Sequence, residues 1–254
     1  MDQSIQIMTS ALASILGERL HSIWLYGSVV LGDFRLGWSD IDMLVLTKSA
    51  PTEDQARALL TLRQTLLEKE PENPYYRSFE GIIADITEYQ SGRFTRLVYW
   101  GTSGQRITDK YEKDVFGAWE LAREGRCVYG EADRSLFREP SREKMIQAIR
   151  GHLDGIRRFA LATDESLYAC GWLLDISRCL YTLDTGDVIS KTAAGQWALE
   201  QPLCPDAEAL RKTLEIRQNP LSYKDDPAVR RWLATLGPII QRYADVLEQA
   251  LPQG

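Results

Sequence analysis

The stretch Leu25-Tyr26-Gly27-Ser28-Val29-Val30-Leu31-Gly32-Asp33-Phe34-Arg35-Leu36-Gly37-Trp38-Ser39-Asp40-Ile41-Asp42-Met43-Leu44-Val45-Leu46 decides how the rest of the chain is read. The apolar run Ile23 to Tyr26 predicts a short buried strand ending at Gly27-Ser28. Gly27 permits a sharp turn and close approach of a ligand to the backbone. Ser28 and the N–H groups after it can hold phosphate oxygens at a helix start. A polar, glycine-containing loop follows, and Asp40-Ile41-Asp42 opens a second apolar run, Met43 to Leu46. Residues i and i+2 of a strand project from one face, so Asp40 and Asp42 are expected to point together toward the Gly27-Ser28 turn.

Two adjacent carboxylates repel each other unless something neutralises them. Mg²⁺ suits such a place, because it takes one or two carboxylates and completes its shell with water and phosphate. The spacing therefore predicts a metal–nucleotide cradle. The plainer alternative is a glycine-rich hairpin ending in two exposed Asp residues. The Gly-Ser turn at this distance from Ser-Asp-x-Asp and a following strand favours the cradle.

Outward from this stretch, Ile5, Met8, Leu12, Ile15 and Leu16 recur at helical spacing, with Gly17 as a stop. Pro51-Thr52 introduces a helix to about Glu68, and Thr52 with Gln55 predicts a capping box. A third strand is expected from about Phe79 to Tyr89. In it Glu80, Ile82, Ala84 and Ile86 share one face, and Gly81, Ile83 and Asp85 the other. Either Glu80 or Asp85 can supply a third carboxylate, but not both to one site. Leu97 to Trp100 reads as strand or helix, Phe116 to Ala122 as helix, and Val128 to Gly130 as a short strand. The polar segment Glu131 to Pro140 marks a domain boundary. Beyond it the chain reads as helices: Ser141, an N-cap, to about Leu161; Ser166 to Leu183; Lys191 to Leu199; Asp206 to Arg217; and Asp226 to Ala250.

A formal net charge of −6 argues against a nucleic-acid backbone as partner and is compatible with a cationic substrate. Cys127, Cys170, Cys179 and Cys204 lack metal-ligand spacing, and with only His21 and His152 to add, no zinc site is expected. Free thiols, no signal peptide and no membrane-length apolar run together predict a cytoplasmic protein.

The opening stretch resembles the signature of the polymerase-β-like nucleotidyltransferase superfamily. Further blocks resemble the aminoglycoside (3″)(9) adenylyltransferases, enzymes of streptomycin and spectinomycin resistance. These are Arg77-Ser78-Phe79-Glu80-Gly81-Ile82-Ile83, Ile176-Ser177-Arg178, Thr185-Gly186 and Lys191-Thr192-Ala193-Ala194-Gly195-Gln196-Trp197-Ala198-Leu199-Glu200. The resemblance implies an α/β (α+β) nucleotidyltransferase domain with a mixed sheet over residues 1–140. An all-α helical bundle over 141–254 would follow it.

It further implies adenylyl transfer from ATP, with Mg²⁺ on Asp40 and Asp42 and phosphate at Gly27 and Ser28. Glu80 would be the general base, and Arg178 and Lys191 would reach the triphosphate. The acceptor would be a small cationic antibiotic, and the protein a monomer. The chain departs from the family where the antibiotic is received. Trp100-Gly101 is followed by Thr102-Ser103 in place of a second Trp, and Asp164-Glu165 stands further from Arg178 than in the family pattern. Asp164, Glu165, Trp172 and Asp175 are the substrate candidates that remain. Streptomycin, spectinomycin, another aminocyclitol or an unrelated alcohol all stay open as acceptors. Two other readings compete: a nucleotidyltransferase acting on a protein, as antitoxins of this superfamily do, and a nucleotide-binding module without catalysis.

Overall fold

The structure is a computed structural model that describes residues 1–101 and 104–252. The chain divides into two compact units. One comprises Met1–Phe34 and Ser39–Glu139, the other Arg35–Trp38 and the chain from Pro140 on.

The first unit begins with α1 (Asp2–Leu16), which Gly17 ends, and β1 (Leu20–Tyr26). A single 3₁₀ turn, Gly27–Val29, stands where a helix start was expected. Then come β2 (Ile41–Thr47), α2 (Glu53–Lys69), β3 (Phe79–Asp85), α3 (Ile86–Ser91), β4 (Leu97–Gly101), β5 (Gly104–Thr108), α4 (Val115–Arg123) and β6 (Arg126–Tyr129). The strands form one mixed sheet in the order β5-β4-β3-β2-β1-β6. Only β2 and β3 are parallel, and α2 is their crossover; the other pairs are antiparallel.

Strand alternation divides the core. Ile23, Leu25, Ile41, Met43, Val45, Phe79 and Ile83 pack with Met8 and Leu12 of α1 and Leu59 and Leu62 of α2. Trp24, Leu44, Leu46, Ile82 and Ala84 pack on the opposite face with Tyr89 of α3, Leu121 of α4 and Phe137. In β2 and β3 both faces are apolar in the strand interiors, so the acids Asp42 and Glu80 reach the second face near the strand starts. The Thr52–Gln55 capping box is present: the Gln55 N–H donates to Thr52 Oγ1 at 3.2 Å, and the Thr52 N–H donates to Gln55 Oε1 at 3.0 Å.

The third strand is shorter than the pattern predicted. The Asp85 carboxylate accepts from the N–H groups of Thr87 and Glu88, both at 2.8 Å, and starts α3. A local side chain-to-backbone cap outcompetes the ladder there. Asp85 is thereby engaged as an N-cap, on the other side of the strand from Glu80.

The helical unit contains α5 (Arg142–Phe159), α6 (Tyr168–Thr185), α7 (Lys191–Glu200), α8 (Ala207–Gln218), α9 (Pro220–Tyr223), α10 (Pro227–Leu233) and α11 (Gly237–Ala250). Ser141 caps α5, accepting from the Lys144 N–H at 3.4 Å. The last predicted helix is two. Pro238 lies in the first turn of α11, where its missing N–H is tolerated, and it cannot continue α10. The bundle core is built from Ile149, Leu173, Leu174, Ile176, Leu210, Ile216, Leu233, Ile240 and Leu247, all buried. Ser177 bonds the Tyr243 hydroxyl within it at 3.1 Å. Among the described residues no helix is long and apolar enough to cross a membrane.

Candidate active site

Strand register places the carboxylates of the first unit. Tyr26 pairs with Asp42 across β1 and β2, and Asp42 pairs with Glu80 across β2 and β3. Paired residues share a face, so Tyr26, Asp42 and Glu80 form a row across the end of the sheet. Glu80 is thus on the Asp42 side, which parity alone left open between Glu80 and Asp85. Gly27 has φ 67°, and a Cβ there would lie 2.0 Å from Asp42 Oδ2. The turn needs glycine both for its backbone and to admit the carboxylate. Ser28 Oγ donates to the Asp40 carbonyl at 3.3 Å, tying the turn to the chain that enters β2. The N–H groups of Val30 and Leu31 both close on the Gly27 carbonyl, at 3.2 and 3.1 Å. Gly27, Ser28, Asp40, Asp42 and Glu80 are therefore brought together.

The electrostatics of this cluster are those of crowded acids. Burial raises the Asp42 carboxyl well above the usual range, and the nearby charges of Glu120, Asp40, Glu80 and Asp114 raise it further. Glu80 is raised to about 7 by burial, by the charge of Asp40 and by a hydrogen bond with Asp40, against the opposing pull of Arg63 and the Tyr99 hydroxyl. Tyr99 Oη reaches Glu80 Oε1 at 3.5 Å, a long contact. Carboxylates that oppose one another's charge in this way are relieved by a cation. Mg²⁺ fits that donor set: Asp40 and Asp42 would hold it, and phosphate and water would complete its shell. Among the described residues no group of three or more His, Cys, Asp and Glu is arranged as a metal cage.

Glu120, buried on α4, and Asp114, the N-cap of α4, are neighbours of Asp42 that the strand pattern did not reveal. The available signal was a lone acid inside the apolar run Phe116 to Ala122.

In the helical unit, Asp175 joins both predicted cations. Its carboxylate lies 2.9 Å from Lys191 Nζ and 3.8 Å from Arg178. Burial pushes the Asp175 carboxyl up, but Lys191 and Arg178 hold it below its ordinary value. Ser190 caps α7, accepting from the Ala193 N–H at 3.3 Å, and so sets Lys191 in the first turn. Trp172 precedes Asp175 by one turn of α6 and is half-buried.

Asp164 and Glu165, on the loop before α6, have other partners. Asp164 accepts from the Ser166 N–H at 2.9 Å, and Glu165 pairs with Arg230 of α10 at 2.9 Å. The ring of Trp197 stands edge-on to Tyr181, centroids 5.3 Å apart. Thr102 and Ser103, where the family pattern has a Trp, lie outside the described residues.

Comparison with known proteins agrees with this division. The nucleotidyltransferase domain matches residues 10–92. The aminoglycoside adenylyltransferase C-terminal domain matches residues 135–233. Spectinomycin adenyltransferase AAD(9) from Enterococcus faecialis, solved with ATP and spectinomycin, is similar at a TM-score of 0.63 and 18% identity, over 98% of this chain and 99% of that one. At that identity the likeness is one of fold. The two matched domains stand in this order on one chain, a nucleotidyltransferase enzyme whose helical part is similar to that of the aminoglycoside adenylyltransferases.

Proposed function

We propose that the protein transfers AMP from ATP to a hydroxyl of an aminoglycoside or aminocyclitol antibiotic and releases pyrophosphate. The observation that carries this reading is the row Tyr26-Asp42-Glu80, with Asp40 and the Gly27-Ser28 turn beside it. Residues 1–140 supply the nucleotidyl-transfer chemistry, and 141–254 supply Arg178, Lys191 and the acceptor residues.

Bound Mg²⁺ would draw off charge developing on the phosphate oxygens. The chain's own groups do the rest. Ser28 and the glycine turn receive phosphate oxygens. Arg178 and Lys191, fixed by Asp175, add positive charge for the triphosphate. Glu80, with a carboxyl poised near neutrality, takes the proton of the acceptor hydroxyl. The hydroxyl oxygen bonds to the α-phosphorus as the bond to pyrophosphate breaks. Asp164, Glu165, Trp172 and Asp175 are the candidates for recognising a cationic ring. Spectinomycin is the first acceptor to try, since the similar solved enzyme was crystallised with it.

The experiment is pyrophosphate release with ATP and Mg²⁺ against a panel containing spectinomycin and streptomycin. Release that depends on one such small molecule supports the proposal. Release only with a protein acceptor would replace it with a protein-modifying activity. Tight ATP binding without release under any acceptor would leave a nucleotide-binding module.

A further inference from the structure

The loop between β1 and β2 ends in a tight turn. The Trp38 N–H donates to the Arg35 carbonyl at 3.0 Å, and Gly37 between them has φ 88°, a value that favours glycine. These four residues belong to the helical unit. A Cβ on Gly37 would lie 2.5 Å from Leu221 Cδ2, so the turn is packed directly on α9. The Arg217 guanidinium of α8 lies over the Trp38 ring, 5.3 Å from its centroid. Arg217 is 2% exposed, unusual for an arginine. Its Nε donates to Thr192 Oγ1 at 3.1 Å.

One buried cation therefore touches two places that matter to the chemistry. Trp38 stands two residues before Asp40, and Thr192 stands one residue after Lys191. Resting on the reading above, we infer that Arg217 is a positioning residue for Mg²⁺–ATP. It fixes, through Trp38, the chain that delivers Asp40 and, through Thr192, the helix start that delivers Lys191. Its planar head suits this double task, since it stacks on an aromatic face while an edge N–H donates. A lysine offers a point charge and cannot do both.

The test measures Mg²⁺–ATP affinity by titration calorimetry on the full chain, with thermal melting of each variant. The Mg²⁺-dependent gain in ATP affinity in wild type, and its loss in Asp42→Asn, check the underlying reading separately. Trp38→Ala is expected to weaken Mg²⁺–ATP about tenfold with little change in melting temperature, and Trp38→Phe to restore most of the affinity. Arg217→Lys should weaken it at least as much as Trp38→Ala, since the bond to Thr192 is disturbed as well. Adding Trp38→Ala to Arg217→Lys should cost less than the product of the single losses, because both break one contact. Should a change at the buried arginine impair folding, the two Trp38 variants on the turn still decide the matter. Affinity within twofold of wild type in Trp38→Ala, or multiplicative losses, would overturn the inference and leave the reading standing. Wild type without Mg²⁺-dependent ATP binding would overturn both.

Discussion

Asp42 is a side chain whose charge costs the folded protein stability, because burial and four neighbouring acids oppose it. Asp42→Asn removes that charge. The metal-free protein is therefore expected to melt no lower, and by this argument higher, than wild type in EDTA, while turnover nearly vanishes. A well-folded variant with turnover within a few-fold of wild type would end the assignment. Glu80→Gln keeps the size of the side chain but not its capacity for a proton, and is expected to lower turnover by about 10²–10⁴-fold with ATP still bound. Turnover kept by Glu80→Gln and lost in Asp85→Asn would move the base to the other side of β3. Gly27→Ala should cost roughly 1–2 kcal/mol from the positive φ alone, and more as Asp42 is displaced, read as a lower denaturation midpoint.

The carboxylates of the strands were legible in part: alternation set Glu80 and Asp85 on opposite faces, but the register that brings Glu80 beside Asp42 is tertiary. Glu120 was not, since only the tertiary packing of α4 brings it to the β2 end. The union of Arg178 with Lys191 through Asp175 was hidden likewise. Each residue looked functional alone, but the spacing between two helices is not written in either.

At the scale of elements, Asp175 links α6 to α7. Its carboxyl lies below the ordinary value in the folded state, so the unfolded chain binds its proton more readily. The contribution is present at neutral pH and fades as the pH falls below about 4 toward the folded value. Asp175→Asn is thus expected to destabilise by about 2 kcal/mol at pH 7, the scale of a hydrogen bond to a charged group. The deficit should narrow in titrations carried to pH 3. A deficit constant with pH would mean that packing, not charge, sets it.

Where capping chemistry was read, at Thr52 and Ser141, the helix starts followed from it. The failures have local causes that periodicity overlooks. Asp85 diverted its strand into a helix, and Pro238 divided a continuous apolar pattern into α10 and α11. The Gly27-Ser28 turn closes on itself in one 3₁₀ step, so the phosphate-binding role proposed for it would rest on the turn and not on a helix dipole.

For the molecule as a whole, the net charge of −6 gives a long-range attraction for a cationic acceptor. If the acceptor is one, its KM should rise severalfold between 20 and 200 mM salt, as screening shortens the reach of the field. A KM indifferent to salt would confine recognition to uncharged contacts. The two-domain plan was readable from the change of pattern near Glu131 to Pro140. The membership of residues 35–38 was not, because nothing local in Arg-Leu-Gly-Trp names its tertiary neighbours.

That membership governs how this protein can be recombined with its relatives. The polypeptide passes from one unit to the other at residues 34–35, back at 38–39, and again at 139–140. A chimera cut once near residue 140 would set a foreign turn beneath Arg217 and Leu221, or leave the donated helices without Trp38. Both the buried guanidinium and the leucine would then lose the partners they were shaped against. A working graft of the helical unit must carry Arg35–Trp38 as a second, four-residue insert, even though a hundred residues separate it from the rest.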